Sequence, residues 1–202
     1  MKLIPLFKKI KLNKAQEDEY KLTIENEIKQ NLWIIVVLIL LFQIYNMFYV
    51  GIYTDFTFAS VASKVYMTMY AVMMAVCILT LLIIAFKKRK GGKITGLQYF
   101  FVLFLILWSL IITVYDNRVS NNINVYIISL LGIAILTYIP PKFFVPLYVI
   151  ANIALIYSIS YFYPGDYTIH YSLYLNSVSF TLMALFISYY RYQSTRQAFL
   201  NN

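Results

Sequence analysis

The feature that most constrains this chain is a series of long apolar blocks without one charged residue. Six blocks lack Asp, Glu, Lys, Arg and His, and they cover residues 32–53, 65–86, 97–114, 125–139, 143–163 and 172–190. A helix needs about 17–25 apolar residues to cross ~30 Å of hydrocarbon, and five blocks reach that length. The fourth block is short and spans only with flanking asparagines, as 123–139.

Helices are the economical way for these blocks to cross lipid. The hydrocarbon offers no partner for backbone N–H and C=O groups, and the alternating pattern of a membrane β-barrel is absent from the sequence. The sequence therefore predicts an all-α, polytopic membrane protein with six transmembrane helices. They form one domain, 32–190, between a cytoplasmic amphipathic segment (1–31) and a cytoplasmic helical extension (191–202).

The distribution of positive charge predicts the orientation. The chain has a formal net charge of +9, and 15 of its 17 Lys and Arg residues lie in the N-terminal segment, the second and fourth connections and the tail. Cytoplasmic loops carry such an excess, so both termini are expected in the cytoplasm. The basic second connection, at 87–93, has no aromatic platform beside it, so a nucleic acid partner is not expected.

The segment before the first span is predicted to contain a short surface helix and the start of a second helix. Leu3, Leu6, Phe7 and Ile10 have helical spacing among lysines, which suits a helix on an anionic membrane surface. Asn13 and Gln16 have the spacing of reciprocal caps for a second helix. An apolar stripe then runs into the first span: Tyr20, Ile24, Ile28 and Leu32. This helix is either a plain juxtamembrane segment or a docking surface for a cytoplasmic domain.

The spans lack the residues of transport and catalysis. Every Asp and Glu lies outside the apolar blocks, which disfavours a proton- or sodium-coupled carrier. No protease motif is present, and a Cys77–His170 pair is excluded because Cys77 lies deep in a helix while His170 is expected as a solvated loop residue. We therefore expect no enzyme activity, metal or cofactor in this chain.

Aromatic and carboxamide residues toward the predicted outer side suggest a ligand site. Small, partly apolar ligands bind in cavities with a few oriented polar groups. The candidate lining residues for an external ligand are Asn46, Tyr49, Asn152, Tyr157, Asn176 and Ser179. Two alternatives are open: the aromatic residues form an interfacial belt, and the asparagines make hydrogen bonds between helices.

The sixth helix carries two further patterns. Small residues that allow close helix packing are Ser177, Thr181, Ala184 and Ser188. Beyond the membrane, Tyr189, Tyr192, Arg196 and Phe199 continue the three- and four-residue spacing of a coiled-coil seam. The pattern predicts an unbroken helix into the tail that relays a signal and pairs in a homodimer, with Arg196 pointing outward.

Four segments resemble a known group of membrane regions. They are EDEYKLTIENEIKQ (17–30), the basic second connection, YIPPK (138–142) and LNSVSFTLMALFISYYRYQSTRQAFLNN (175–202). Together they resemble the N-terminal six-helix sensor region of Firmicute, clostridia-like GGDEF diguanylate cyclases and related histidine kinases. The resemblance implies a bacterial cytoplasmic membrane and a role in cyclic-di-GMP or kinase signalling. The GGDEF motif itself is absent, so no catalytic residue carries over.

These patterns favour a membrane-embedded sensory module that relays an external or membrane signal through helix six to a cytoplasmic output domain, in cis or in trans. The alternative is a substrate-binding membrane subunit such as the S-component of an energy-coupling-factor transporter. Six helices and this length suit that family, but the Ala-rich first helix that it uses for docking is missing from 32–53. A structural membrane protein without a ligand is a third hypothesis.

Overall fold

The computed structural model describes residues 12–90, 92–120, 122–162 and 167–201, and these form helices and short connections without a strand. The helices are α1 (Lys14–Tyr53), α2 (Val61–Lys90), α3 (Thr95–Ser120), α4 (Asn124–Leu136), α5 (Pro141–Phe162) and α6 (Tyr167–Asn201). Each covers most or all of one predicted span, which confirms the all-α class. The surface helix predicted around Leu3–Ile10 lies outside the described residues.

Five of these helices, all except α4, are long and apolar enough to cross a membrane. The fourth helix has only 13 residues, or ~20 Å at the usual rise, and it ends at Leu136, three residues before the end of the predicted span at residue 139. Two prolines, at positions 140 and 141, follow this helix. Thr137 already has an extended backbone (ψ 149°), and Pro141 takes the first position of α5, where its fixed φ suits a helix start.

Helix α1 begins at the predicted reciprocal cap. The Gln16 backbone N–H donates to Asn13 Oδ1 at 2.8 Å, and the Asn13 N–H donates to Gln16 Oε1 at 3.0 Å. From this cap the helix runs for 40 residues without a break, which is ~60 Å of helix. It is therefore about twice as long as the ~30 Å hydrocarbon core. The predicted segment before the membrane and the first span thus form one helix.

The chain divides into two compact units. The first unit comprises Met1–Ile28 and Val102–Asn202, and the second comprises Lys29–Phe101. In the first unit α6 packs against both α4 and α5. The four small residues expected to mediate this packing are buried: Ser177, Thr181, Ala184 and Ser188. A hydroxyl–hydroxyl hydrogen bond of 3.2 Å joins Ser188 to Tyr148 of α5.

In the second unit, α1 ends in a tight turn that requires a left-handed residue. Asp55 takes that role with φ 46°, and the Phe56 N–H donates to the Gly51 carbonyl at 2.8 Å while the Asp55 N–H donates to the Ile52 carbonyl at 3.2 Å. This is a Schellman ending, in which the last carbonyls of a helix find donors. The Phe56 ring lies over Gly51, where a Cβ would come within 2.5 Å of it.

Candidate functional site

The most elaborate polar and aromatic arrangement described in the first unit joins the first turns of α1 to the last turns of α6. We call it the aromatic–arginine cluster, and its members are Glu17, Tyr20, Tyr138, Tyr192, Arg196 and Phe199. They come from the start of α1, the connection between α4 and α5, and the last turns of α6. The cluster therefore fixes the N-terminal part of α1 and the end of α6 against each other.

A forked arginine is the polar centre of this cluster. Arg196 Nη2 donates to Glu17 Oε2 at 2.9 Å, and Nη1 donates to the Tyr192 hydroxyl at 2.8 Å and to Glu17 Oε1 at 3.5 Å. The Arg196 side chain is 8% exposed and that of Glu17 is 34% exposed. A guanidinium makes several directional bonds in a planar fork, so this pairing sets orientation as well as charge neutrality.

Aromatic rings enclose that guanidinium. Its central carbon lies 5.6 Å from the ring centre of Tyr20 and 5.4 Å from that of Tyr192. Tyr20 meets Phe199 edge to face at 5.2 Å, and Tyr138 stacks on Tyr192 at 5.4 Å. The Tyr20 hydroxyl donates to the Tyr138 hydroxyl at 2.6 Å. Cation–π and aromatic contacts of this kind add to simple burial of apolar area.

Burial and charge act in opposite directions on the ionisable groups of this region. Burial raises the pKa of Tyr20 well above its usual value, although the Tyr138 hydrogen bond and Arg196 oppose the rise. Burial alone would lower the pKa of Arg196, but the bond to Glu17 and the neighbouring tyrosines raise it. Burial lowers the pKa of Arg191, which Glu27 partly offsets. The neutral phenol and the charged guanidinium are therefore the favoured forms.

Two buried polar atoms in and beside the cluster have no hydrogen-bond partner among the residues that the structure describes. They are Nε of Arg196 and Oε1 of Gln193, and both residues are less than 10% exposed. Only Nε2 of the Gln193 side chain makes a hydrogen bond in the described structure, and it donates to the Tyr189 hydroxyl at 2.9 Å. Buried polar atoms without partners oppose the folded contact, because water would otherwise satisfy them.

The structure separates the predicted ligand residues of the first unit. Asn152 is buried and accepts a 3.2 Å hydrogen bond from Ser177 of α6. Tyr157, Asn176 and Ser179 are exposed, so they do not share the buried interface of Asn152. This contact is a hydrogen bond between helices, the alternative considered for the asparagines, and a carboxamide among apolar side chains needs such a partner.

The other two predicted ligand residues lie in the second unit. Asn46 is half-buried, and Tyr49 is 60% exposed and stacks on Tyr45 with a 6.3 Å ring separation. A stacked, exposed tyrosine pair near a helix end is typical of an interfacial aromatic belt. A ligand at these residues stays a prediction.

The residues of the predicted relay contact the protein's own α1 and connection. Tyr192, Arg196 and Phe199 belong to the aromatic–arginine cluster, and Tyr189 is one turn away. The outward position predicted for Arg196 is wrong, because Glu17 provides a buried partner for its charge. His170 was expected as a solvated loop residue, but it lies in α6 and is 8% exposed. Its ring lies 5.9 Å from Tyr174.

Three cluster members were not predicted as site residues: Glu17, Tyr20 and Tyr138. Two signals in the sequence pointed to them. An apolar stripe on a helix rich in charge, outside the membrane, indicates a packing partner. An arginine inside an apolar seam indicates a buried charge that needs an acid.

Comparisons with known proteins assign no family to this chain. No protein-family model, no curated protein and no solved structure matches it. Function is therefore inferred from the residues of the chain itself.

Proposed function

We propose that the chain is a membrane-embedded sensory input module that relays an external or membrane signal through α6 to a cytoplasmic output domain. The output is of diguanylate cyclase or kinase type and acts in cis or in trans. In this proposal the protein lies in the bacterial cytoplasmic membrane with both termini inside, forms a homodimer and performs no catalysis. The observation that carries the proposal is the continuity of α6 from Tyr167 to Asn201.

The length of α6 suits a relay. Its 35 residues give ~52 Å of helix against ~30 Å of hydrocarbon, so ~20 Å extends beyond the membrane. Ser188, which bonds to α5, and Arg196, which bonds to α1, lie on the same unbroken helix. A stiff helix transmits a small shift or rotation along its axis, and a change in packing at α5 therefore reaches the tail.

The contact between Glu17 and Arg196 supports a common side for the two ends. Residue 17 precedes the first predicted span and residue 196 follows the last one, yet their side chains are 2.9 Å apart. Ends that touch outside the membrane require an even number of crossings. The excess of Lys and Arg in the same segments favours the cytoplasmic side. Cysteine accessibility should report Asn121 and Tyr167 outside, and Gly92 and Asn202 inside.

A chimera with a diguanylate cyclase fused after Asn202 tests the relay. Because the signal is unidentified, Ser177→Leu is used as the perturbation, since a larger side chain crowds the α5–α6 interface. The change in cyclase rate that it causes is measured in membranes. Gln193→Pro breaks the helix between that interface and the output without touching the membrane core. We expect Gln193→Pro to abolish the dependence of the cyclase rate on Ser177→Leu.

Gln193→Ala is the matched control, since it removes the same side chain and keeps the helix. The control should still respond to Ser177→Leu, because α6 stays continuous in it. If the rate responds equally in the proline and alanine variants while both insert normally, α6 does not carry the signal. A cytoplasmic position for Tyr167 would contradict the topology on which the proposal depends.

A further inference from the structure

We propose that the aromatic–arginine cluster is a latch, in which the α6 tail separates from and rejoins the N-terminal part of α1 (residues 14–28) within the folded protein. The existence of the latch does not depend on the proposed relay. Only its role rests on the proposed function: the latch would regulate the position of the helix that leads to the output. The two states are a closed one, as in the structure, and an open one in which water surrounds the tail.

The closed state is favoured by apolar and aromatic contacts. Tyr20 is 2% exposed, and Ile24 and Ile28 continue its stripe with 5% and 2% exposure. The ring contacts of Tyr20 with Phe199 and Tyr138 bury the end of α6 on this stripe. Removal of apolar surface from water is the main stabilising contribution to such a contact.

The polar groups oppose closure. Closing buries the guanidinium of Arg196, and within the described part of the chain it leaves Arg196 Nε and Gln193 Oε1 without hydrogen-bond partners. Opening would expose both atoms to water. Burying an ion pair also costs hydration free energy, which the attraction between the charges only partly offsets, and Glu17 is still one-third exposed.

These opposing contributions give the property that a switch requires. A conformational equilibrium responds to a signal only when its two states are close in free energy. A contact made of apolar residues alone would stay closed, and an ion pair alone would stay hydrated. The combination at the end of α6 keeps the free-energy difference between the closed and open states small, so a modest change in packing can shift their populations.

Distance measurements by electron paramagnetic resonance test the latch in the chain itself, in lipid nanodiscs. Nitroxide labels at Leu22→Cys and Ala198→Cys occupy exposed positions on α1 and α6, in a Cys77→Ala background. The closed state gives a short, narrow distance distribution, and the open state gives a longer, broader one. The measured quantity is the ratio of long to short distances.

Glu17→Gln removes the charge of the pair and should raise that ratio about tenfold. Glu19→Gln is the matched control. It makes the same change at an exposed position two residues further along α1, and it should leave the ratio unchanged. Gln193→Met removes an unpartnered acceptor at similar volume and should lower the ratio. This second variant acts in the opposite direction, so a general loss of folding cannot reproduce both results.

An unchanged ratio in Glu17→Gln, an equal rise in Glu19→Gln, or a rise in Gln193→Met would overturn the latch. No output domain takes part in this experiment. Failure here would therefore leave the relay through α6 standing, and failure of the proline chimera would leave the latch standing.

Discussion

Truncation of Tyr20 should release the N-terminal part of α1 without unfolding the long apolar helices. The Tyr20 ring is 2% exposed and contacts both Tyr138 and Phe199. Loss of a buried aromatic ring costs about 3–5 kcal/mol in a well-packed site. Tyr20→Phe keeps the ring and removes only the 2.6 Å hydrogen bond to Tyr138, which contributes about 1 kcal/mol.

Hydrogen exchange of peptides from residues 14–28 and 191–201 measures this opening in nanodiscs. Since about 1.4 kcal/mol changes an equilibrium tenfold, protection should fall roughly fivefold in Tyr20→Phe and more than about a hundredfold in Tyr20→Ala. Peptides from α5 should keep their protection, because the change is local. Leu22→Ala, at a neighbouring residue that is 68% exposed, is the control. Equal effects of Tyr20→Ala and Leu22→Ala would refute the packing described here.

Three further predictions concern local structure and pH. Asn13→Ala should fray the first turn of α1 by about 1 kcal/mol, seen as faster amide exchange there, because it removes the side-chain acceptor of the cap. Asp55→Gly should stabilise the end of α1 by roughly 1 kcal/mol, because glycine adopts φ 46° without strain. Gly51→Val should instead displace the Phe56 ring and destabilise this turn. The midpoint of thermal unfolding measures both effects. Burial raises the pKa of Tyr20 above 10.0, the usual value of an exposed tyrosine. An exposed Tyr20 therefore releases its proton at a lower pH than the buried one, and the contact should weaken as pH rises above about 10. Amide exchange at residues 14–28 should accelerate there, and less so in Tyr20→Phe.

The helices were predictable because their cause is local. Uncharged blocks of sufficient length have one economical structure in lipid, and Asn13 with Gln16 contains in four residues all the atoms of the α1 cap. The continuity of α6 into its tail was likewise readable, since no Pro or Gly interrupts 167–202. The early end of α4 was not predicted, because a proline restricts the residue directly before it, whereas the extended backbone already begins at Thr137, three residues before Pro140.

The site was less predictable because its members are far apart in the sequence. Glu17 and Arg196 are separated by 179 positions, and no spacing rule connects them. The three- and four-residue spacing in the tail predicts that one face of α6 packs against another helix. It does not identify that helix. Asn152 illustrates the same limit: its need for a partner was predicted, whereas its choice of Ser177 depends on how α5 and α6 pack.

The forked ion pair explains why the contact at the end of α6 has one register. The stripe on α1 repeats every four residues, at Tyr20, Ile24 and Ile28, so apolar packing alone would accept a tail displaced by one turn of about 5 Å. Arg196 with Glu17 removes that freedom, because a displacement by one turn would separate the carboxylate from the fork and leave a buried charge unpaired. The charges thus favour one register among packings that would have similar free energies from the ring contacts alone. A shift that breaks this pair ends one defined register, and the end of α6 then changes position in a discrete step.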